Sequence, residues 1–278
     1  LVIANRTVCG TKLLETMKAH AKEADDVTFR FVVPASKPSS GLVIYDDAVQ
    51  NSAQARVDLA SDMFAEAGLK ATGEVGDPDP FSATMDAVAD GRPDRIIVST
   101  YSATHSGWLR RDLIQRISSA SGLPVEHVVS DLEAEGLPFN ATLVIANRTA
   151  GGQELIERLR TKAAADPERH VFIAVVPLES GTGAATRNAH IRLAELLARL
   201  RESDLRAAGM IGDPDPYTAV MNALELFTVV DDIVISTLPD ERSGWMRARL
   251  VERVRDHATQ PVEHVVVSAD EATAGAVS

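Results

Sequence analysis

An internal repeat constrains this chain more than any other feature. Residues 1–7 read Leu-Val-Ile-Ala-Asn-Arg-Thr and recur letter for letter as 143–149. Gly-Asp-Pro-Asp-Pro at 76–80 recurs at 212–216, and Ile-Val-Ser-Thr at 97–100 is answered by Val-Ile-Ser-Thr at 234–237. Ser-Gly-Trp at 106–108 recurs at 243–245, and Val-Glu-His-Val-Val at 125–129 recurs at 262–266. The blocks keep one order, so the chain is two copies of one unit fused head to tail. Its 278 residues suit two domains at ~100–200 residues each. The expected division is a first domain over 1–130, a linker over 131–141 and a second domain over 142–278. The linker is polar and acidic, with Gly136 and Pro138 as breakers.

Within each copy, short apolar runs alternate with longer segments of helical period. In the first copy strands are expected at 1–4, 28–33, 70–75, 95–99 and 124–129. Helices are expected at 12–24, at 46–67, from the Asp79-Pro80 entry, and at 108–120. Asp followed by Pro suits a helix start, where the aspartate caps and the proline fills the first helical position. Leu193, Leu196, Leu197 and Leu200 mark the apolar face of the second copy's second helix. Alternating strands and helices imply an α/β fold with parallel strands and right-handed crossovers, here as two tandem doubly wound domains.

Charge narrows the partners. A formal net charge of −12 repels nucleic-acid phosphates and anionic lipid, so neither is an expected partner. The lone Cys9 excludes an intrachain disulfide and suits a reducing cytoplasm, the expected location. No apolar run reaches the ~18 residues of a membrane-spanning helix. The chain opens on Leu1 already inside a strand-like run, the expectation for a chain whose natural start lies upstream.

In an open parallel sheet the ligand crevice lies beyond the carboxyl ends of the strands, where strand order reverses. The blocks shared best by the two copies fall at those ends. Asn5, Arg6 and Thr7 close the first strand, as do Asn147, Arg148 and Thr149 in the second copy. Ser99 and Thr100, and Ser236 and Thr237, close the fourth strand. Gly76 and Gly212 close the third, and Pro34 and Pro177 the second. Ser106 and Gly107, with Ser243 and Gly244, open the fourth helix, where free backbone N–H groups are expected. Arg110 and Arg247 lie near that helix's positive end, a place explained either by a bound anion or by an acidic neighbour. These residues are the candidate ligand site. Asn5 suits a base edge or a ribose hydroxyl, and Arg6 a phosphate.

The order of elements, the Gly-Asp-Pro entry to the third helix and the Ser-Gly-Trp-Leu-Arg-Arg run after the fourth strand resemble the universal stress protein family over nearly all of each copy. The resemblance implies five-stranded sheets of order 3-2-1-4-5. It also implies pairing of domains through strand five, within the chain as a covalent pseudo-dimer or in a homo-oligomer. ATP-binding members carry an aspartate after strand one and a Gly-x-x-Gly-x9-Gly-Ser/Thr loop. Here Asn5 and Asn147 stand in the aspartate's place, and the loops at 101–105 and 238–242 hold no glycine. Glycine lets a backbone approach phosphate closely, and Asp240 and Glu241 would repel it. AMP or ADP is therefore the expected ligand ahead of ATP.

Other signals carry less. Trp108 and Trp245 read as helix packing residues, with base stacking as the alternative. His127 and His264 sit in valine-rich strands without metal-ligand spacing, so no metal site is expected. Asp77, Asp79, Asp213 and Asp215 read as helix caps. No catalytic constellation is visible. The expected function is non-catalytic: binding or sensing of an adenine nucleotide or similar small anion in a stress response. The alternatives are an interaction scaffold that has lost nucleotide binding, or a weak nucleotide hydrolase.

Overall fold

The computed structural model describes residues 1–35, 46–101, 112–165, 169–179, 183–239, 244–247 and 249–268. The first copy runs β1 (Val2–Ile3), α1 (Thr11–Ala21), β2 (Phe29–Pro34), α2 (Asp46–Glu66), β3 (Ala71–Gly76), α3 (Pro80–Gly91), β4 (Ile96–Thr100), α4 (Leu113–Ser121) and β5 (Val125–Val129). A short α5 (Leu132–Glu135) follows. The second copy runs β6 (Asn140–Ile145), α6 (Gln153–Ala165), β7 (His170–Pro177), α7 (Gly183–Glu202), β8 (Arg206–Gly212), α8 (Pro216–Leu226), β9 (Asp232–Thr237), α9 (Gly244–Arg247), α10 (Leu250–His257) and β10 (Val262–Val266). The main break between the two compact units falls between Pro138 and Phe139. β6 opens at Asn140, inside the stretch read as linker. Asn140 and Ala141 pair with His170 and Val171 of β7, a register that polar composition does not announce.

Each unit is a five-stranded parallel sheet. Strand order is β3-β2-β1-β4-β5 in the first and β8-β7-β6-β9-β10 in the second, the expected 3-2-1-4-5 in both. Ile3 pairs with Val32 on one side and Val98 on the other, and Ile145 pairs with Val175 and Ile235. Strand order reverses between β1 and β4, and between β6 and β9, which opens a crevice at the carboxyl end of each pair. The central strands are buried on both faces, which is why they read as unbroken apolar runs rather than alternating ones. Ile3, Val32, Ala87, Val98 and Ile117 share the first core. Val144, Leu159, Phe172, Leu193, Leu196 and Leu200 share the second.

The repeated Gly-Asp-Pro-Asp-Pro block has a local explanation. Asp79 accepts from Ser82 N at 3.0 Å, and Asp215 accepts from Thr218 N at 3.0 Å. Asp77 and Asp213 each accept from the cap residue's own N–H at 2.8 Å. Such caps stabilise a helix by about 1 kcal/mol. A Cβ on Gly76 would sit 2.5 Å from Val32 Cγ1, and one on Gly212 would sit 2.7 Å from Ala219 Cβ. These glycines let α3 and α8 pack onto their sheets.

One expected element differs. The fourth helix does not run unbroken from Trp108 or Trp245. In the second copy α9 ends at Arg247, Arg249 takes left-handed backbone (φ 51°), and α10 starts at Leu250. Asp112, at the matching place before α4, is left-handed too (φ 47°). Hydrophobic period cannot register such a break, because one left-handed residue redirects the chain while leaving the apolar spacing on either side intact.

Candidate functional site

The Asn-Arg-Thr triplets fold into the same turn twice. Val8 N donates to Asn5 O at 3.1 Å and Gly10 N to Thr7 O at 3.0 Å; Ala150 N and Gly152 N repeat this on Asn147 O and Thr149 O. The threonine hydroxyls donate across the switch point, Thr7 to Ser99 O and Thr149 to Ser236 O, each at 3.1 Å. Both threonines are buried, so the third member of the triplet ties the strand-one turn to strand four. Gly10 and Gly152 follow each turn where a side chain has no room. A Cβ would lie 2.8 Å from Leu132 Cδ2 in the first unit and 2.3 Å from Val267 Cγ1 in the second.

The fourth-strand residues divide by alternation. Thr100 Oγ1 donates to Tyr101 O at 2.8 Å and meets His127 Nε2 at 2.8 Å. The hydroxyl's single proton is thereby used, which assigns the imidazole proton to Nε2. Burial, then the charge of Lys12, holds the His127 pKa below the ordinary imidazole value. Thr237 and His264 repeat the contact at 2.8 Å. The neighbouring serines differ. Ser99 and Ser236 are buried, and their hydroxyls have no hydrogen-bond partner among the described residues. Leaving such a group unsatisfied costs about 1–3 kcal/mol, so among the described residues each copy holds an unmet hydroxyl near the end of its fourth strand.

An arginine that the sequence reading passed over completes the arrangement. When the repeats are aligned on Gly76 and Gly212, Arg56 of α2 matches Arg192 of α7. Arg192 Nη1 donates to Asn147 Oδ1 at 2.6 Å and lies 3.2 Å from Glu179 Oε1. Arg148 Nε donates to the same Glu179 oxygen at 2.8 Å. Asn147 Nδ2 donates to Pro177 O at 3.2 Å. Burial opposes ionisation of Glu179, but the hydrogen bond from Arg148 and the charges of Arg192 and Arg148 outweigh it and hold the carboxyl below its usual range. In the first unit Arg56 is buried, and burial, followed by the charge of Arg6, pushes its pKa down to about 10. The Arg6 guanidinium lies 5.5 Å from the Tyr101 ring centroid. Asn5 Oδ1 is buried without a hydrogen-bond partner among the described residues.

In the second unit Asn147, Arg148 and Glu179 border a cavity of about 360 Å³, and Arg192 contacts two of them, Asn147 and Glu179. Asn147, Arg148, Thr149, Ser236, Thr237 and Gly244, all singled out from sequence, line it together. Leu178, Glu179, Pro214, Leu238 and Trp245 line it as well, and none of them was among the candidates. Trp245, read as a packing residue, is thus among the residues that line the crevice. Pro177 stands behind Asn147 as an acceptor, and Gly212 and Gly76 serve helix packing. Pro34 closes β2 beside Gly76. Ser106, Gly107, Trp108, Arg110, Ser243 and the side chain of Arg247 lie outside the described residues. Since α9 is a single short turn set off from α10, the crevice is not faced by the first turn of a long helix, as the sequence reading expected.

No family model matches the sequence, and no curated protein does. Among solved structures the chain is similar to a protein from the universal stress protein family of Burkholderia pseudomallei. That match is 19% identical, covers 45% of this chain and 95% of that chain, and has a TM-score of 0.33. The chain is also similar to a universal stress protein from Archaeoglobus fulgidus, 15% identical over 97% of each chain with a TM-score of 0.35. The α/β fold rests on the strand order and register given above.

Proposed function

We propose that this protein is a non-catalytic, tandem-domain binder of a small phosphorylated anion, with AMP or ADP as ligand, acting in a cytoplasmic stress response. The observation that carries the reading is the Glu179 oxygen held by Arg148 and Arg192. An anionic oxygen is what this pair of guanidiniums donates to, and a phosphate oxygen is likewise an anionic acceptor. The equivalent cations, Arg6 and Arg56, recur in the first copy. The buried hydroxyls of Ser99 and Ser236 supply polar groups that a ribose or phosphate could satisfy. Trp245, among the lining residues, supplies an aromatic side chain for a base. A cavity of about 360 Å³ suits a mononucleotide, and loops without glycine favour one or two phosphates over three.

Native mass spectrometry of freshly purified protein tests this. A co-purified adenine nucleotide, or calorimetric binding of added AMP or ADP, supports it. The absence of both transfers the case to an interaction scaffold, a reading favoured by Glu179 already pairing with both Arg148 and Arg192.

A further inference from the structure

We infer that Glu179 reads the sugar of the nucleotide: its carboxylate accepts a hydrogen bond from the 2′- or 3′-hydroxyl, which makes the second crevice selective for ribonucleotides over their deoxy forms. This rests on the nucleotide-binding reading above and names the residue that selects the ligand's ribose. Glu179 follows β7, the second strand of its unit, and borders the cavity. Beyond the end of the second strand is where an acidic residue meets a ribose hydroxyl in dinucleotide-binding α/β sheets. The carboxylate is set in place before a ligand arrives. Arg148 Nε donates to Oε1 at 2.8 Å, and Arg192 Nη1 lies 3.2 Å from the same oxygen. Both contacts fall on Oε1, and Oε2 has no hydrogen-bond partner among the described residues.

Charge decides which donor suits Oε2. Burial opposes ionisation of Glu179, but the hydrogen bond from Arg148 and the charges of Arg192 and Arg148 hold the carboxyl below its usual range. At neutral pH it is therefore an acceptor alone. An anionic group of the ligand has no proton to offer it and is repelled. An ammonium group would meet the guanidiniums of Arg148 and Arg192 beside it. A neutral donor remains, and an O–H donating to a carboxylate is among the stronger hydrogen bonds. The lining also separates base from sugar. Leu178, Pro214, Leu238 and Trp245 supply the apolar and aromatic part, which suits a base. Glu179, Arg148 and Ser236 belong to the polar part. Ser236 is buried and its hydroxyl has no partner among the described residues, so it offers the sugar a second polar point. Arg148 is exposed and engages Glu179 through Nε, which leaves its terminal nitrogens for the phosphate.

The test uses the full chain carrying Trp108→Phe. Trp245 is then its only tryptophan, and its fluorescence reports on the second crevice. Titration with AMP, 2′-deoxy-AMP and 3′-deoxy-AMP reads the selectivity. At least one deoxy form is expected to bind about tenfold or more weakly than AMP, the scale of one hydrogen bond to a charged group. Adding Glu179→Gln is expected to lower the AMP affinity toward that of the deoxy forms. Thermal unfolding checks that each variant is folded, and the comparison of nucleotides with Glu179 in place stands if Glu179→Gln does not fold. Equal affinity for AMP and both deoxy forms, or undiminished selectivity in folded Glu179→Gln, overturns the inference and leaves nucleotide binding standing. Calorimetric binding of AMP without a Trp245 response does the same, because it puts the nucleotide outside the second crevice. No AMP binding by either measurement overturns both.

Discussion

Arg192 donates from Nη1 to Asn147 Oδ1 across 2.6 Å, and Asn147 donates from Nδ2 to the carbonyl of Pro177 at 3.2 Å. The asparagine thus links the end of β6 to α7 and β7, and truncation leaves a partly buried guanidinium short of an acceptor. Asn147→Ala is expected to cost about 1–3 kcal/mol of stability. Asn5→Ala, which removes an Oδ1 that has no partner among the described residues, is expected to cost less. Urea unfolding of the two variants compares them, and equal losses would contradict the asymmetry.

Arg6→Ala is expected to weaken AMP binding by about 1.5–3 kcal/mol, the scale of a hydrogen bond to a charged group. The unfolding midpoint of the ligand-free protein should scarcely move. Calorimetry and thermal melts on both proteins check this; equal affinity in the variant would remove Arg6 from the site.

Glu179 makes stability depend on pH. Its carboxyl is held below the ordinary range in the folded protein, so its contribution is fully present above that range. It is lost as pH falls through the depressed folded value. Glu179→Gln should therefore be less stable than wild type near neutrality, and the gap should close in acid. Urea midpoints at about pH 7 and about pH 3, on either side of the ordinary carboxylate range, measure this. A gap of the same size at both would be inconsistent with the ion pairs.

Backbone geometry yields two opposite effects. Asp204 holds a left-handed conformation (φ 55°) at the end of α7, where the first copy has Gly68 (φ 74°). Asp204→Gly should stabilise the protein by about 1 kcal/mol through relief of the left-handed penalty. Gly212→Ala should destabilise it by about 1–3 kcal/mol, because the new Cβ would meet Ala219 Cβ at 2.7 Å and Val175 Cγ1 at 2.9 Å. Thermal melts distinguish the two signs.

A non-catalytic protein should not accelerate ATP hydrolysis above background. A robust turnover abolished by one crevice substitution, such as Arg56→Ala, would reveal an active site and refute that part of the proposal.

The legible portion of the site was the portion written into identical blocks. The triplets at 5–7 and 147–149 and the serines at 99 and 236 could be found by matching the copies, and strand-end logic placed them together. Arg56 and Arg192 were equally alignable but lie inside a helix in which most other residues diverge, so no repeated block marked them. Glu179 has no counterpart in the first copy, and a search built on shared residues passes over it. Trp245 looked like a packing residue because a helix was expected to continue beyond it.

The sequence by itself determined the two-copy organisation, the alternation of strands and helices, the Asp-Pro caps and the apolar central strands. The first follows from matching the two copies, and the others from period and single-residue backbone chemistry, which act within a few residues along the chain. Only the tertiary structure decided which cations meet at Glu179, beside the crevice. Arg148, Glu179 and Arg192 come from three separate segments. Their attraction depends on distances set by the packing of α7 and the β7 turn onto the sheet, and no linear pattern encodes those distances.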